Sequence, residues 1–397
     1  NRVKQIGSGV ASFLADYVSS TAPDPHHVVI TLSKTDLDFI GALSPIYILD
    51  SKLVKPHEGS DDAQGWLGTH EAGSGPFEIT SYKANQELDL GRYKKYWDYT
   101  DQRPATLILR MITDHTASRD DFLAGNLDII MDLNGTDLKN VSANPKYQVT
   151  YIPASRETYA WLNYKGKITG DIRVREAIQL AYDYQGHLTS ALDNEGAIAD
   201  AIVPQGLSCR VEAGKPTQDI AKAKQLIEQA GVSGATVTIA YQPAVPEFNT
   251  AGTLMQAALK QIGLNANLVA VTFPQYSQLV SSQSTMPDIS LAWDGSSFPA
   301  IGPLLQREWS SANAGQGNFT WYSNPKVDQL LKDAMSQTDA TKACQDYEAV
   351  QKQVLADRAM LYIAYPAVTM ITDKKVQTIP FSPTSQDFNV GTLRMAG

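Results

Sequence analysis

The residues best suited to chemistry in this chain are aromatic and acidic, not nucleophilic. Trp293 and Asp294 close an apolar segment at 289–293, and Phe298 follows in the loop beyond, ahead of Pro299. At a strand end, Trp293 and Phe298 can stack on a ligand or pack into a core. Asp294 can cap a turn or hydrogen-bond a hydroxyl. Tyr159 and Trp161 alternate with Ala160 and Leu162, so one face of that segment can line a cleft while the other packs inward. Arg156 and Glu157 precede them and either contact polar ends of a ligand or lie solvated. Asn318, Trp321 and Tyr322 form a weaker set of the same kind.

Catalytic constellations are missing. Gly7-Ser8-Gly9 and Gly73-Ser74-Gly75 lack the Gly-x-Ser-x-Gly spacing of a nucleophile elbow. No His-Glu-x-x-His occurs, and His26-His27 has no further ligand nearby, so no metal site is expected. Gly-x-Gly-x-x-Gly and Walker patterns are absent too. The expectation is a binder without cofactor, with a hydrolase as the remote rival.

Composition bounds the remaining classes. The chain has 397 residues, 43% of them hydrophobic, enough for two or three domains with cores of their own. A formal charge of -9 and the lack of a basic run disfavour nucleic acid as a partner. The longest apolar run, 360–371, is interrupted by Tyr362, Tyr365 and Pro366 and reads as buried strands, not as a membrane span. Cys209 and Cys344 are the only cysteines. They form either one disulfide, in an oxidising compartment, or two buried thiols; their Cα atoms must approach within about 7 Å for the bridge.

The elements that must carry these residues alternate between helix and strand. Strands are expected at 28–32, 78–82, 87–90, 106–112 (with Leu107, Leu109 and Met111 on one face), 127–130, 149–152 and 159–164, and a short helix in 35–49. Segment 54–75 reads as surface loop. Helices are expected at 118–124, 174–182 and 219–230, the last with Ile220, Ala223, Leu226, Ile227 and Ala230 on one face and Gly231 as its stop. The order then runs strand 236–241, helix 251–262, strand 265–271, helix 276–282 and strand 289–293, which favours an α/β domain with helices over a mainly parallel sheet. Helices 325–336 and 343–356 precede strands 360–365 and 368–372, while 310–317 and 382–387 read as exposed loops.

A spaced series of segments resembles one known family. Gly75-Pro76-Phe77 leads to Tyr96-Trp97; Asp171-Ile172-Arg173-Val174-Arg175-Glu176-Ala177 follows; then come Asp219 to Gly231 and Trp293-Asp294 before Phe298-Pro299. In order and spacing they resemble the family 5 solute-binding proteins of peptide-type ABC transporters. The resemblance implies an α/β, periplasmic-binding-protein-like fold of two lobes with a ligand cleft and discontinuous domains. Residues 66–162 and 363–397 are expected to form lobe I, 163–362 lobe II, and 1–65 the remnant of a small extra domain.

Family members carry a longer N-terminal region, so the opening part is expected to be missing here: either it was cleaved, or it was built as something else, or the receptor is an unusually short one, and the fragment reading predicts exposed edges and low stability unless the absent piece remains bound. No signal peptide or lipid-attachment cysteine is visible, and the first residues, Asn1-Arg2-Val3-Lys4, do not resemble a mature exported terminus; removal of those segments is one reading of this.

The resemblance also implies roles. Gly75, Pro76, Phe77 and Trp97 are expected to be structural, through a tight turn and buried aromatic area. Arg173 and Arg175 are expected to anchor the domain. Relatives place an acidic residue shortly after the strand-ending tryptophan to meet a peptide ammonium, and here Asp294 takes that role displaced by two residues; the later acidic residue before proline is absent. The implied protein is a monomeric receptor outside the cytoplasm, lipid-anchored or periplasmic. It captures a short peptide, or alternatively an oligosaccharide or sugar conjugate, and closes around it to dock on an ABC permease.

Overall fold

The computed structural model describes residues 1–7, 9–112, 114–131, 133, 135–296, 298–378, 381–382 and 387–396. Ser8 of the first Gly-Ser-Gly segment, Ser297, and residues 383–386 of the expected 382–387 loop lie outside these. The chain divides into two compact units, one of Asn1–Ser33, Phe39–Ile152 and Val368–Gly397, the other of Lys34–Asp38 and Pro153–Ala367.

The second unit is a helix-covered sheet. Strands Thr236–Tyr241 and Asn265–Ala270 are parallel, as are Thr236–Tyr241 and Ile289–Gly295, because helices Pro246–Gln261 and Phe273–Val280 supply the crossovers between them. The expected mainly parallel sheet is instead mixed. Strand Arg156–Leu162 runs antiparallel to Ile289–Gly295, and the first half of Met360–Asp373 runs antiparallel to Arg156–Leu162. Strand Arg156–Leu162 is the reversed one: it lies between Ile289–Gly295 and Met360–Asp373, which run in the same direction and are joined through helices.

Period-2 alternation sends the sheet's side chains into two cores. Ala160, Leu162, Ile239, Ile289 and Leu291 pack with Val174, Ile178, Ile227 and Met255 from helices Ile172–Ala181, Ile220–Ala230 and Pro246–Gln261. Tyr159, Trp161, Ala240 and Ala292 pack with Tyr276, Leu305, Leu331 and Val350 from helices Phe273–Val280, Ile301–Trp309, Pro325–Ser336 and Ala340–Ala356. Helix Ile220–Ala230 shows its local cause clearly. Asp219 accepts from the Lys222 amide at 2.9 Å at the start, and Gly231 takes φ 70° at the stop, where a Cβ would be disfavoured. Cys209 and Cys344 form a disulfide with Cα atoms 5.1 Å apart, deciding between the two thiol states.

Arg175 ties this unit together from inside. Its guanidinium donates to the carbonyls of Thr169, Gly170, Asp357 and Arg358 and stacks on Tyr164. Arg173 is more exposed; it pairs with Asp171 and reaches the Gln229 carbonyl at 2.7 Å.

The first unit contains an antiparallel hairpin, Tyr17–Asp24 with His27–Leu32, and the three-stranded antiparallel sheet Phe77–Lys83, Glu87–Arg92, Thr106–Arg110. Phe122, Ile130, Val141, Tyr147 and Ile371 form a small core, with the end of Met360–Asp373 pairing to Ile129–Met131.

Several expectations need correction. Segment 54–75 is not plain loop. It holds the turns Lys55–His57 and Gln64–Leu67, and it buries Val54, Ala63 and Ala72. Gly75 has neither a positive φ nor a close neighbour, so no turn requires glycine there. Trp97 is 86% exposed, its ring tilted against that of Tyr96, so it buries little of its aromatic area. Met111 lies past its strand and is exposed, off the face expected of it.

Residues 360–365 and 368–372 are one strand, because Pro366 pairs with Gly196 without needing to donate a hydrogen bond. Segment 310–317 is mostly covered and starts with the turn Ser311–Asn313; its Ser311 donates to Asp328. Helices Tyr184–Ser190 and Ile301–Trp309 and strand Tyr17–Asp24 were not anticipated. Among the described residues, no helix is long and apolar enough to cross a membrane.

Candidate functional site

In open α/β sheets, ligands gather outside the carboxyl ends of the parallel strands, where loops and helix starts converge. Here those ends are Tyr241, Ala270 and Gly295, and the last carries Trp293 and Asp294. The neighbouring strand begins at the same level: Thr158 faces Trp293, Glu157 faces Asp294 and Arg156 faces Gly295 across the antiparallel ladder. Alternation then distributes these residues to opposite faces of the sheet.

On one face Trp293 is held by a buried polar chain. Its indole Nε1 donates to Glu247 Oε2 at 2.7 Å, while Glu247 Oε1 accepts from Thr158 Oγ1 at 2.5 Å and lies 3.0 Å from His187 Nε2. His187 Nδ1 lies 2.8 Å from the Tyr182 hydroxyl. Phe248 packs on the Trp293 ring at 5.2 Å, and the Arg156 guanidinium lies over it at 4.3 Å. Glu247 and His187 were missed from the sequence. The one local signal is Pro246, which starts the helix and places Glu247 in its first turn, where a carboxylate is favoured.

On the other face Asp294 is already paired. Both of its carboxylate oxygens accept from Arg307, at 2.7 and 2.8 Å, and the Gly295 amide donates to it at 2.6 Å. Burial opposes the Arg307 charge, but the Asp294 carboxylate and its hydrogen bonds outweigh burial and raise the guanidinium's pKa. Asp294 therefore has an internal cation as partner, a bidentate arrangement its sequence context did not reveal. Glu157 and Glu308 lie beside this pair, 0% and 3% exposed. Burial first, and then neighbouring negative charge (Glu308 for Glu157, Asp294 for Glu308), pushes both carboxyls well above the usual range. Farther along, Arg210 pairs with Asp200, and the Tyr365 hydroxyl donates to the same carboxylate at 3.0 Å.

The remaining aromatic candidates are core residues. Tyr159 and Trp161 are 0% and 5% exposed, and because Ala160 and Leu162 are equally buried, neither face of their strand is open within this unit. Tyr322 and Asn318 are fully buried: Tyr322 donates to Asp357 at 2.6 Å, and Asn318 closes its loop onto the carbonyls of Ser310 and Tyr322. Phe298 is 3% exposed. Trp293, Asp294, Arg156 and Phe298 thus share one end of the sheet, while Asn318 and Tyr322 do structural work among the helices. Among the described residues no group of three or more His, Cys, Asp or Glu side chains could hold a metal ion.

Comparison with known proteins adds the following. Residues 2–316 match the family described as bacterial extracellular solute-binding proteins, family 5 Middle. The chain is 27% identical over 399 residues to a protein named Probable D,D-dipeptide-binding periplasmic protein DdpA, of Escherichia coli (strain K12), with 99% of this chain and 76% of that one covered. It is 25% identical over 347 residues to Heme-binding protein A of Haemophilus influenzae, covering 83% of this chain and 61% of that one. The crystal structure of AppA from Clostridium difficile shares the fold, with a TM-score of 0.89 at 19% identity over 99% of this chain and 83% of that one.

Proposed function

The chain belongs to family 5 of the bacterial extracellular solute-binding proteins, and from that premise we propose that it captures a short peptide and delivers it to the permease of an ABC importer. Its place of action is outside the cytoplasm. The observation that carries the peptide reading is the alignment of 99% of the chain with a relative named for D,D-dipeptide binding. The site chemistry supports it. A peptide offers an ammonium, a carboxylate and apolar side chains; this end of the sheet offers buried acids, the Arg156 guanidinium and the Trp293 and Phe248 rings.

The lobes under this reading are 66–162 with 363–397, and 163–362, with 1–65 belonging to a smaller domain. Trp293 and Arg156 are its contact residues; Phe298, 3% exposed, is covered within its own unit. The haem-binding name of the second relative marks the alternative, a non-peptide solute; an oligosaccharide belongs to the same class of outcome.

Native mass spectrometry of the purified protein, followed by denaturation to release what it carries, tests the proposal. A released series of peptide masses is the expected result. A carbohydrate or porphyrin mass in their place overturns the peptide assignment and leaves the receptor function standing.

A further inference from the structure

Glu157 and Glu308 lie in the same apolar surroundings as Tyr159, Leu305 and Trp309, and no carboxylate oxygen of either makes a hydrogen bond of full geometry; the Tyr159 hydroxyl approaches Glu157, and Asp294 and the Trp309 indole approach Glu308. The nearest compensating groups fall short. Tyr159 and Arg210 favour the charged form of Glu157, yet burial and the Glu308 charge outweigh them. For Glu308 the closest cation is Arg307, at 3.5 Å, and its guanidinium is committed to Asp294.

Both acids are held neutral by this burial, and in their ionised form four acceptor atoms would be left short of donors, which is costly inside a protein. A ligand that supplies the missing donors is one reason for a folded chain to retain such groups. Counting Glu157, Glu308, Asp294 and Arg307 together, three acids face one base. At the edge of the cluster the Arg307 side chain is 38% exposed and that of Asp294 13%, which brings solvent against the Asp294–Arg307 pair.

We infer that Glu157 and Glu308 form the receptor for a cationic nitrogen of the solute, which under the peptide reading is its α-ammonium. An ammonium carries three donors and no acceptor, matching a pair of acceptor-only carboxylates. Tyr159, Leu305 and Trp309 supply low-dielectric walls that strengthen the contact. Asp294, spent on Arg307, then orients the rim of the site. Entry of one positive charge balances the ionisation of one of the two acids, so binding releases a proton to the buffer.

The test is titration calorimetry of the whole chain, in buffers of different ionisation enthalpy, with three sets of probes. These are a mixture of dipeptides and tripeptides, the same mixture N-acetylated, and the simple amines cadaverine and spermidine. Wild type is expected to bind the free peptides at least tenfold more tightly than the acetylated ones, with proton release. Glu157→Gln and Glu308→Gln are expected to abolish that preference and that release, with circular dichroism and melting showing both variants folded.

Equal affinity for free and acetylated peptides, or an undiminished preference in both variants, overturns the inference while the peptide reading stands. Amine binding that depends on Glu157, with no peptide bound, keeps the inference and overturns the peptide reading. No binding by any cationic probe overturns the inference.

Discussion

Trp293 and Glu247 are joined by a 2.7 Å hydrogen bond from indole to carboxylate, and the carboxylate's other oxygen serves Thr158 and His187. One buried acid thereby fixes the ring at the carboxyl end of the central strand. It also links helix Pro246–Gln261 to the strand beside it.

Removing that acid is expected to be felt in both stability and binding. Glu247→Ala leaves the Trp293 indole and the Thr158 hydroxyl without their acceptor, and a loss of about 2–5 kcal/mol follows from orphaned buried groups. Glu247→Gln, which keeps an acceptor, is expected to lose less. Urea unfolding of the three proteins measures this; equal midpoints for Ala and wild type would mean the network is not formed in solution.

Asp294 provides a second test, separate from the ammonium receptor. Asp294→Asn deprives Arg307 of its bidentate partner and is expected to cost about 1–3 kcal/mol of stability. Because the charge of Asp294 is already answered by Arg307, peptide affinity measured by calorimetry should change less than about tenfold, or 1.4 kcal/mol. A larger loss of affinity in a stably folded variant would restore Asp294 as the direct ammonium partner.

The disulfide closes a long loop. Cys209 and Cys344 are 135 residues apart in sequence, and the chain-entropy model assigns a loop of that size on the order of 4–5 kcal/mol as an upper value. Melting with and without a reductant, and of Cys209→Ser/Cys344→Ser, is expected to show a clear drop. Identical melting points would show that the bridge does not constrain the unfolded chain.

Asp38 makes stability depend on pH in a defined window. Burial, reinforced by the charge of Asp36, raises its pKa to about 6. The native state therefore holds this proton more firmly than the unfolded chain, where an aspartate titrates near about 3.9. Its contribution is present in full below that value and is lost as pH rises through about 6. The stability difference between wild type and Asp38→Asn should accordingly fall between pH 4 and about 6.5 and then level off. Parallel stability curves across that range would contradict the raised value.

Arg175 tests the interior of the second unit. Arg175→Met leaves the carbonyls of Thr169, Gly170, Asp357 and Arg358 without their donor. A loss of about 3 kcal/mol or more is expected, since several buried acceptors are affected at once. Arg175→Lys should recover little, because a single ammonium cannot reproduce the planar fork. Full recovery by lysine would show that charge, not geometry, matters there.

The local rules written into the chain determined much of this architecture. Helix Ile220–Ala230 was legible because Asp219, a 3.6-residue apolar period and Gly231 all act within a few residues of one another. Helix Pro325–Ser336 was legible from the same kind of local signal, and strand Thr236–Tyr241 from its run of β-branched residues. The ordered segments from Gly75 to Pro299 carried the family, which the match over residues 2–316 shows.

Only the tertiary structure decided what those residues touch. Asp294 meets Arg307 thirteen positions away, Trp293 meets Glu247 forty-six away, and Glu157 is buried beside the negative charge of Glu308. Strand Arg156–Leu162 looked half-open by alternation, but it became central when strands paired on both sides and helices covered both faces. Periodicity encodes how a segment faces its own neighbours, because that depends on local backbone geometry. Desolvation and charge pairing depend on which distant segments arrive, and those partners exist only once the chain has folded.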